Sequence, residues 1–344
     1  MNKKIIWPLM MLVIAFGSWL IQEQSASWYT QPVLKIEQVT EQAEQQQLTG
    51  TIQNGTYLGN QVTVNVALRS NEVLHPLYEE GQQLILNETA TTVLELKRDG
   101  WVFFLLSLFV LCLLWIGGQQ GLGALIGLIS NTGLLLFLTN LQKSQPQVNL
   151  LLLMTAFTVF AIVNAMFFSY GWGPNSWSKI AAITLSVGGA FAICYVTMNL
   201  LDDRGLRYEE MQFVTRPYRS VFASSLLIGA IGASMDTVVS IYATLEEIQL
   251  KYPQVSLKRL FISGQMVGQD IAASMINVLM FAYLAGSLPM LLFYLKNGWP
   301  VLATLNFHLS LEFLRSLAGG FAIVLAVPAS LVTFVGAQRL KRSV

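Results

Sequence analysis

Long apolar runs separated by short polar stretches dominate the chain from Trp101 to the C-terminus. Several approach the roughly 20 residues that a helix needs to cross a bilayer. The pattern predicts seven spans, at 101–118, 121–141, 149–169, 180–200, 221–243, 271–295 and 317–337. An apolar run near the N-terminus, Ile5 to Ile21, raises the prediction to eight.

The N-terminal run follows Lys3 and Lys4, an arrangement that a signal peptide shares. The run has no A-x-A-like cleavage site and is long enough to span a bilayer. We therefore expect residues 1–21 to be an uncleaved membrane anchor with its N-terminus inside the cell.

Residues 22–99 have the composition of a water-soluble domain. Five segments have the residue types of strands: VLKIEQV, QLTGTIQ, QVTVNVALR, QQLILNE and TVLELKR. Apolar and polar positions alternate most clearly at Val62, Val64, Val66 and Leu68. The pattern predicts a small β-barrel or sandwich outside the cytoplasm. A purely structural role is the simplest interpretation, because such a shape implies no function by itself.

Eight spans place both termini on one side of the membrane. Both ends are basic, with Lys3 and Lys4 at one and Arg339, Lys341 and Arg342 at the other, so we expect them in the cytoplasm. The loop 201–220 is then outside although it contains Arg204, Arg207, Arg216 and Arg219. Either a span before this loop is miscounted, or the loop pairs its own charges.

Composition agrees with a membrane protein. The chain is 54% hydrophobic and 11% charged, whereas soluble domains have about 25% charged residues. Its net charge of +1 gives no electrostatic reason to expect nucleic acid as a partner. Cys112 and Cys194 lie in separate apolar runs, typical of small buried hydrophobes.

The predicted fold class is therefore a mainly α-helical polytopic membrane protein, with about eight transmembrane helices and a small all-β extracytoplasmic domain. The expected domains are the anchor (1–21), the β domain (22–99) and a helical membrane domain (100–344). The expected surroundings are membrane lipids.

Asp236 is a carboxylate inside an otherwise apolar span. Such a group costs a few kcal/mol or more in hydrocarbon unless it has a partner, a water-filled cavity or a proton. Residues four apart share a helix face, so Gly232, Asp236 and Ser240 form one polar row. Gly229 and Ala233 form a small-xxx-small pair, and these small residues predict close helix packing.

A second polar row follows Gly264 and Gly268, which are again four residues apart and predict close packing. Asp270, Ser274 and Asn277 occupy positions i, i+4 and i+7 of a predicted helix. Asp270 directly precedes an apolar run, so it is also a good candidate for an N-cap or a first-turn residue.

The same segment continues to Gly286 and Pro289. Pro289 removes a backbone hydrogen bond, so we expect the helix to bend or loosen here. Weakened helices that line a cavity are one way to build a solute site within the membrane.

These rows suggest a site for an ion or a small polar solute, or a proton relay. Its candidate residues would face one another across a polar interior: Asp236, Ser240, Asp270, Ser274 and Asn277. The alternative is that both acids lie near the membrane interface and only cap or hydrogen-bond helices.

His308, Glu312 and Arg315 form a third group. A His and a Glu four residues apart could hold a metal on one helix face, but no further His or Cys lies nearby. An amphipathic interfacial helix with ion pairs is a second interpretation. A third makes Glu312 or Arg315 the counter-charge of the membrane acids. We expect neither a metal nor a cofactor.

Three blocks of sequence resemble the YibE/F family of bacterial multi-spanning membrane proteins. They are GAIGASMDTVVSIYATLEEI (229–248), SGQMVGQDIAASMINVLMFAYLAGSLPMLLF (263–293) and LEFLRSLAGGFAIVLAVPAS (311–330). The order of anchor, outer β domain and helical core is similar to the YibE-like type. The resemblance implies the bacterial cell membrane and a partner subunit of the same family or a homo-oligomer. It implies no particular activity or cofactor.

The chain departs from the family pattern at two places. It has Ala272, Ala273 and Ile276 where the family usually has Gly and Thr. It has Tyr242-Ala243-Thr244-Leu245 where the family has Ser-Ser-Leu. A site that needs hydroxyl groups at those positions is not expected here.

Three functions are compatible with these observations. The first is a transporter or channel component with a polar site between predicted helices six and seven, 221–243 and 271–295. The second is a non-enzymatic accessory or scaffold subunit whose outer domain binds a partner. The third, an intramembrane aspartyl enzyme, lacks the GxGD and YD signatures, and other catalytic motifs are also missing. We therefore expect a protein that is not an enzyme.

Overall fold

The computed structural model of the chain describes residues 3–42, 45–67, 77–173, 175–211 and 217–343. Within these ranges the helices are α1 Lys3–Gln24, α2 Asp99–Ser144, α3 Leu150–Tyr170, α4 Ser176–Leu200, α5 Tyr218–Lys251, α6 Leu257–Lys296, α7 Val301–His308 and α8 Ser310–Ser343. The strands are β1 Val33–Gln42, β2 Gln45–Ile52, β3 Gln61–Ala67, β4 Gln83–Leu86 and β5 Val93–Leu96. Leu68, Arg216 and the side chains of Lys3, Lys4, Lys341 and Arg342, which entered the predictions above, lie outside the described residues.

All five predicted strands are present, and they form one antiparallel sheet in the order β3-β2-β1-β4-β5. The expected barrel or sandwich is thus a single sheet with β3 and β5 at its edges. One face is buried around Leu34, Ile36, Leu48 and Leu84. Val64 is in this core, and Val62 and Val66 pack against it, which confirms the alternation predicted for β3.

Polar contacts join the segment after α1, the sheet and the start of α2. The Asp99 carboxylate accepts hydrogen bonds of 2.5 Å from the Ser25 and Tyr29 hydroxyls. Lys97 Nζ lies 3.6 Å from Asp99 Oδ2 and donates to Gln83 Oε1 at 2.8 Å. Burial lowers the pKa of Lys97, and burial together with the Asp99 hydrogen bond raises the pKa of Tyr29 to about 12.

The chain divides into two compact units at Gly118, whereas the sequence predicted a boundary at residue 100. The first part of α2, up to Gly118, belongs to the N-terminal unit, and its second residue lies against α1. A Cβ atom at Gly100 would lie 2.8 Å from the Ser18 carbonyl oxygen. Gly118 has non-helical dihedral angles (φ 53°, ψ −125°) inside α2. The predicted spans 101–118 and 121–141 are therefore two parts of one broken helix.

Six of the described helices, α2 to α6 and α8, are long and apolar enough to cross a membrane. Together with the N-terminal sheet they make the chain a polytopic helical membrane protein with a small β domain. The expected count of eight also included α1 and the two parts of α2.

In the second unit, residues 119–344, α8 packs against α4, α5 and α6. The largest buried cluster includes Ile183, Tyr242, Ala322 and Phe334. Burial is uneven: 44% of the apolar stretch is buried in α5 and in α8, but only 6% in α6. One side of α8 and α5 thus forms the core, while most of α6 faces away from it.

The close-packing role predicted for three of the glycines fits the structure. A Cβ atom at Gly264 would lie 2.5 Å from Leu331, and one at Gly268 would lie 2.6 Å from Val327. At Gly229 it would lie 2.5 Å from the Tyr283 hydroxyl. Gly232 is different, because nothing among the described residues lies within 4 Å of a Cβ there.

Candidate functional site

The polar row of α5 faces away from the core of its unit. Gly232, Asp236 and Ser240 are all exposed, whereas the buried face of the same helix includes Val238 and Ile241. Gly229 and Asp236 are seven residues apart, which is about two turns, so they share a face. Tyr283 of α6 contacts this face at Gly229.

The polar row of α6 also points outward. Gly264 and Gly268 face Leu245 and Ile241 of α5. Asp270 lies two residues after Gly268, about 200° around the helix. It is exposed, as are Ser274 and Asn277. Within one chain, the two rows therefore do not enclose a common polar interior.

Asp270 is not a helix start. The N-cap of α6 is Ser256, whose hydroxyl accepts a hydrogen bond from the Arg259 amide at 3.4 Å. Asp270 lies thirteen residues after Leu257, the first residue of the helix. The prediction of Asp270 as an N-cap was wrong because the first turns of α6 are polar. The helix therefore begins well before the apolar run from which its start was predicted.

The charged cavity of the second unit has a volume of about 470 Å³. Four side chains with carboxylate, imidazole or guanidinium groups line it: Glu210, His308, Glu312 and Arg315. Tyr283, Gly286 and Ser287 of α6 line it as well, with Met211, Ala282, Met290 and Leu311. The cavity thus joins α6, the start of α8, the end of α7 and the segment that follows α4.

Glu210 comes from the segment between α4 and α5, where it ends a short 3-10 helix, Tyr208–Glu210. The Tyr208 ring packs edge-on against Phe222 of α5, 5.6 Å between centroids. Burial, with a contribution from the Asp203 carboxylate, raises the pKa of Tyr208. Asp203 forms a 2.9 Å ion pair with Arg219. These contacts hold the segment against α5 and confirm that the loop pairs part of its own charge.

His308 is the most deeply buried ionisable group of the cavity, with 2% of its side chain exposed. Its Nδ1 lies 2.5 Å from Glu210 Oε2, and its ring packs 4.0 Å from the ring of Tyr294. His308 Nε2 is buried and has no hydrogen-bond partner among the described residues. His308 therefore ties the α4–α5 segment to the end of α7.

Arg315 and Glu312 form a second pair, with 2.5 Å between Nη1 and Oε1. Arg315 Nε also donates to the Ser225 hydroxyl of α5 at 3.3 Å, and the guanidinium lies 5.4 Å from the ring centre of Phe222. About a fifth to a quarter of both side chains is exposed. Both groups thus remain accessible while their positions are held by α5.

Two interpretations of this region find no support in its contacts. Arg315 and Glu312 pair with each other, and in the described parts of the chain neither forms an ion pair with Asp236 or Asp270. His308 ends α7 whereas Glu312 lies in the first turn of α8, so they do not form a metal pair on one helix. The described residues contain no group of three or more potential metal ligands.

The predicted weak point of α6 borders the cavity. Gly286 and Ser287 line it, while α6 continues without interruption through Pro289 to Lys296. Sequence reasoning missed Glu210 because its partner is 98 residues away. The only signal was the unusual density of charges between α4 and α5.

Comparison with known families agrees with this architecture. A family model described as "YibE/F-like protein" matches residues 105–341, which is more than half of the chain. The chain belongs to the YibE/F family. A second model, the "YibE/F family N-terminal domain", matches residues 27–97 and so covers the five-stranded sheet of this YibE/F protein. No curated protein and no solved structure matches it significantly.

All the residues of the charged cavity lie within the YibE/F-like match. The same holds for both polar rows, on α5 and on α6. The candidate site is therefore part of the YibE/F membrane core and not of the N-terminal domain.

Proposed function

We propose that this YibE/F protein is a component of a membrane transport system, and that the charged cavity receives a small polar solute or ion. The observation that carries the proposal is a cavity of about 470 Å³ lined by two glutamates, a histidine and an arginine in a helical membrane unit. Ionisable groups among membrane helices are costly, and where they occur they often mark solute or ion pathways. The role proposed is not enzymatic.

Asp236 extends the proposed pathway. Tyr283 lines the cavity and also contacts Gly229, and Asp236 lies about two turns further along the same face of α5. A solute or proton that leaves the cavity past Tyr283 would therefore move along the exposed face of α5 on which Asp236 lies. In this proposal Asp236 and Ser240 serve the inner part of the pathway.

We place the chain in the bacterial cell membrane with both termini in the cytoplasm, which puts the charged cavity on the outer side. Basic residues lie at both ends of these helices, for example Lys251 and Arg259 opposite the cavity and Arg207 and Arg219 beside it, so the proposed orientation rests on the basic residues near both chain ends. Cysteines introduced singly at Glu209 and Glu247 would test it. A membrane-impermeant thiol reagent added to intact cells should label the first and not the second.

Transport is tested with the full chain in vesicles. The panel is Na⁺, K⁺, protons, ammonium and neutral amino acids, and uptake is compared among the wild type, Asp236→Asn and Glu312→Gln. We expect uptake of at least one solute, reduced at least about tenfold in Asp236→Asn. A correctly inserted wild type that moves none of these solutes would contradict the proposal, and so would equal uptake by all three proteins.

The outward-facing row of α6 supports a second role, as a subunit of a larger assembly. Asp270 offers acceptor oxygens, whereas Ser274 and Asn277 offer donors, so two copies of this face complement each other. Such groups need cover in hydrocarbon. We propose that a second copy of the chain supplies this cover, with a paralogous YibE/F subunit as the alternative occupant.

Cross-linking through α6 distinguishes these occupants. A cysteine introduced at Ser274 should give a disulfide-linked homodimer in membranes, whereas a cysteine at Leu325, on α8, should not. Ser274→Leu should weaken the association. A cysteine at Ser274 that links to a protein of another mass would favour the paralogue, and a protein that stays monomeric would contradict the assembly.

A further inference from the structure

We propose that the charged cavity binds a small zwitterion, that is, a solute with one ammonium and one carboxylate group, such as a neutral amino acid. This inference deepens the proposed function and rests on it for the direction of movement, but the binding itself can be measured alone. It goes beyond a generic polar solute because the lining of the cavity carries both signs of charge.

The charges of the lining select against ligands with one sign only. Glu210 and Glu312 contribute carboxylates, and Arg315 contributes a guanidinium. A simple anion would lie near two carboxylates, and a simple cation would lie near the guanidinium. Such like-charge contacts cost more in a partly buried cavity than in water, because the effective dielectric constant is lower. A ligand with both signs can orient each end toward its opposite.

The existing pairs leave atoms available for a ligand. Arg315 uses Nη1 for Glu312 and Nε for Ser225, and its Nη2 has no hydrogen-bond partner among the described residues. Within the described part of the chain, Glu312 uses only Oε1, and Glu210 uses only Oε2. The guanidinium is suited to a carboxylate, and the remaining carboxylate oxygens can accept from an ammonium group.

The rest of the lining suits the remaining part of an amino acid. The hydroxyls of Tyr283 and Ser287 can hydrogen-bond to either end of the ligand, while Met290 and Leu311 offer apolar contacts to its side chain. His308 is a positioning residue here. Its side chain is almost completely buried and holds Glu210 at the cavity through the 2.5 Å contact.

Binding is measured with the purified full chain by calorimetry. The ligands are alanine, leucine and phenylalanine, each beside the amine that lacks the carboxylate and the acid that lacks the amine. We expect at least one amino acid to bind about tenfold or more tightly than both of its analogues, equivalent to about 1.4 kcal/mol for a factor of ten. Equal affinity for an amino acid and its amine would overturn the inference in favour of a cation site. Binding of none of the three would overturn it as well.

The matched variant replaces Glu312 and Arg315 together by glutamine. The double change removes both charges but keeps polar side chains that can hydrogen-bond, so no buried charge is left unpaired. It should abolish the preference for the zwitterion. The control is the same double change at Glu247 and Lys251, an exposed pair 2.6 Å apart at the other end of α5. If the cavity variant fails to fold, Glu210→Gln is used instead. It should weaken the binding of the amino acid at least about tenfold.

Binding and transport can fail separately. An amino acid that binds but is not taken up into vesicles would keep the zwitterion site and contradict the transport proposal. Uptake of Na⁺ or protons without any preference for a zwitterion would keep the transport proposal and contradict the zwitterion site. Unchanged binding in the cavity variant would place the ligand elsewhere and overturn the inference.

Discussion

His308 Nδ1 lies 2.5 Å from Glu210 Oε2, although the two residues are 98 positions apart. This contact joins the segment after α4 to the end of α7, beside the charged cavity. The histidine is almost completely buried. Glu210 supplies the one hydrogen bond of its ring within the described residues.

Glu210→Ala should therefore destabilise the fold. It leaves both ring nitrogens of a buried histidine without a partner, and losing a hydrogen bond to a charged group costs about 1.5–3 kcal/mol. Thermal unfolding in detergent should show a lower midpoint. Glu209→Ala is the control, because Glu209 is exposed and its contact with Arg207 is 3.5 Å long. Equal effects of the two variants would contradict the importance of the contact.

Gly268→Leu should destabilise the helical unit, because a Cβ at this position already meets Val327 at 2.6 Å. Overpacking of this kind costs about 1–3 kcal/mol. The same substitution at Gly232, where nothing lies within 4 Å, should have little effect. The comparison is made by unfolding midpoints in one detergent. If Gly232→Leu is as harmful as Gly268→Leu, the packing of α6 on α8 is not as described.

The Tyr29 phenol should ionise at a pKa of about 12, whereas its unperturbed value is 10.0. The folded state therefore holds this proton more tightly than the unfolded state does. The resulting stability is present below pH 10 and is lost as the pH rises through about 12. The measurement is the difference in phenolate absorbance between the wild type and Tyr29→Phe.

Asp99→Asn tests whether the Asp99 carboxylate contributes to the raised pKa of Tyr29. Burial is the main reason for the shift of the Tyr29 pKa, and the carboxylate of Asp99 adds to it. The variant should therefore move the transition part of the way back toward 10.0. A phenolate transition of the wild type with a pKa near 10.0 would contradict the hydrogen bond between Tyr29 and Asp99.

Asn54→Asp should unfold the sheet more readily than Asn54→Ala. The Asn54 amide group donates to the carbonyl oxygens of Ala26, Tyr29 and Gln31 at 2.8–2.9 Å. An aspartate would put a carboxylate oxygen against these acceptors. Alanine only leaves the acceptors unpaired, which costs about 1–3 kcal/mol of stability for a buried group. Protease resistance of the N-terminal unit is the measurement.

Asn65→Asp is the control for this substitution, since Asn65 is exposed on β3. It should leave protease resistance unchanged. A larger effect at Asn65 than at Asn54 would mean that the network around Asn54 does not hold the N-terminal unit together.

Local pattern was sufficient for the five strands and for the approximate positions of the long helices. The alternation around Val62 and Val64 predicted β3 correctly, and the apolar runs located the long helices. The limits of helices were less predictable, because polar turns extend beyond the apolar run. α6 begins at Leu257 although its predicted span begins at 271, and this difference decided the position of Asp270 within the helix.

The grouping of residues along a helix could likewise be read from the period of 3.6 residues, but the direction of each group could not. Asp270, Ser274 and Asn277 do share a face, as the spacing predicts. Which way that face points depends on how α6 is rotated against α5 and α8. Close approaches between α6 and α8 accompany this rotation: Gly264 and Gly268 let Leu331 and Val327 approach α6.

The sequence by itself determined the family, the membrane class, the five strands and the two polar rows, because each depends on residues that are close along the chain. Only the tertiary structure decided that the rows face outward and that Glu210, His308, Glu312 and Arg315 surround one cavity. The physical reason is that packing between helices, not periodicity within them, brings distant charges together. A contact between residues 98 positions apart leaves no local pattern to read.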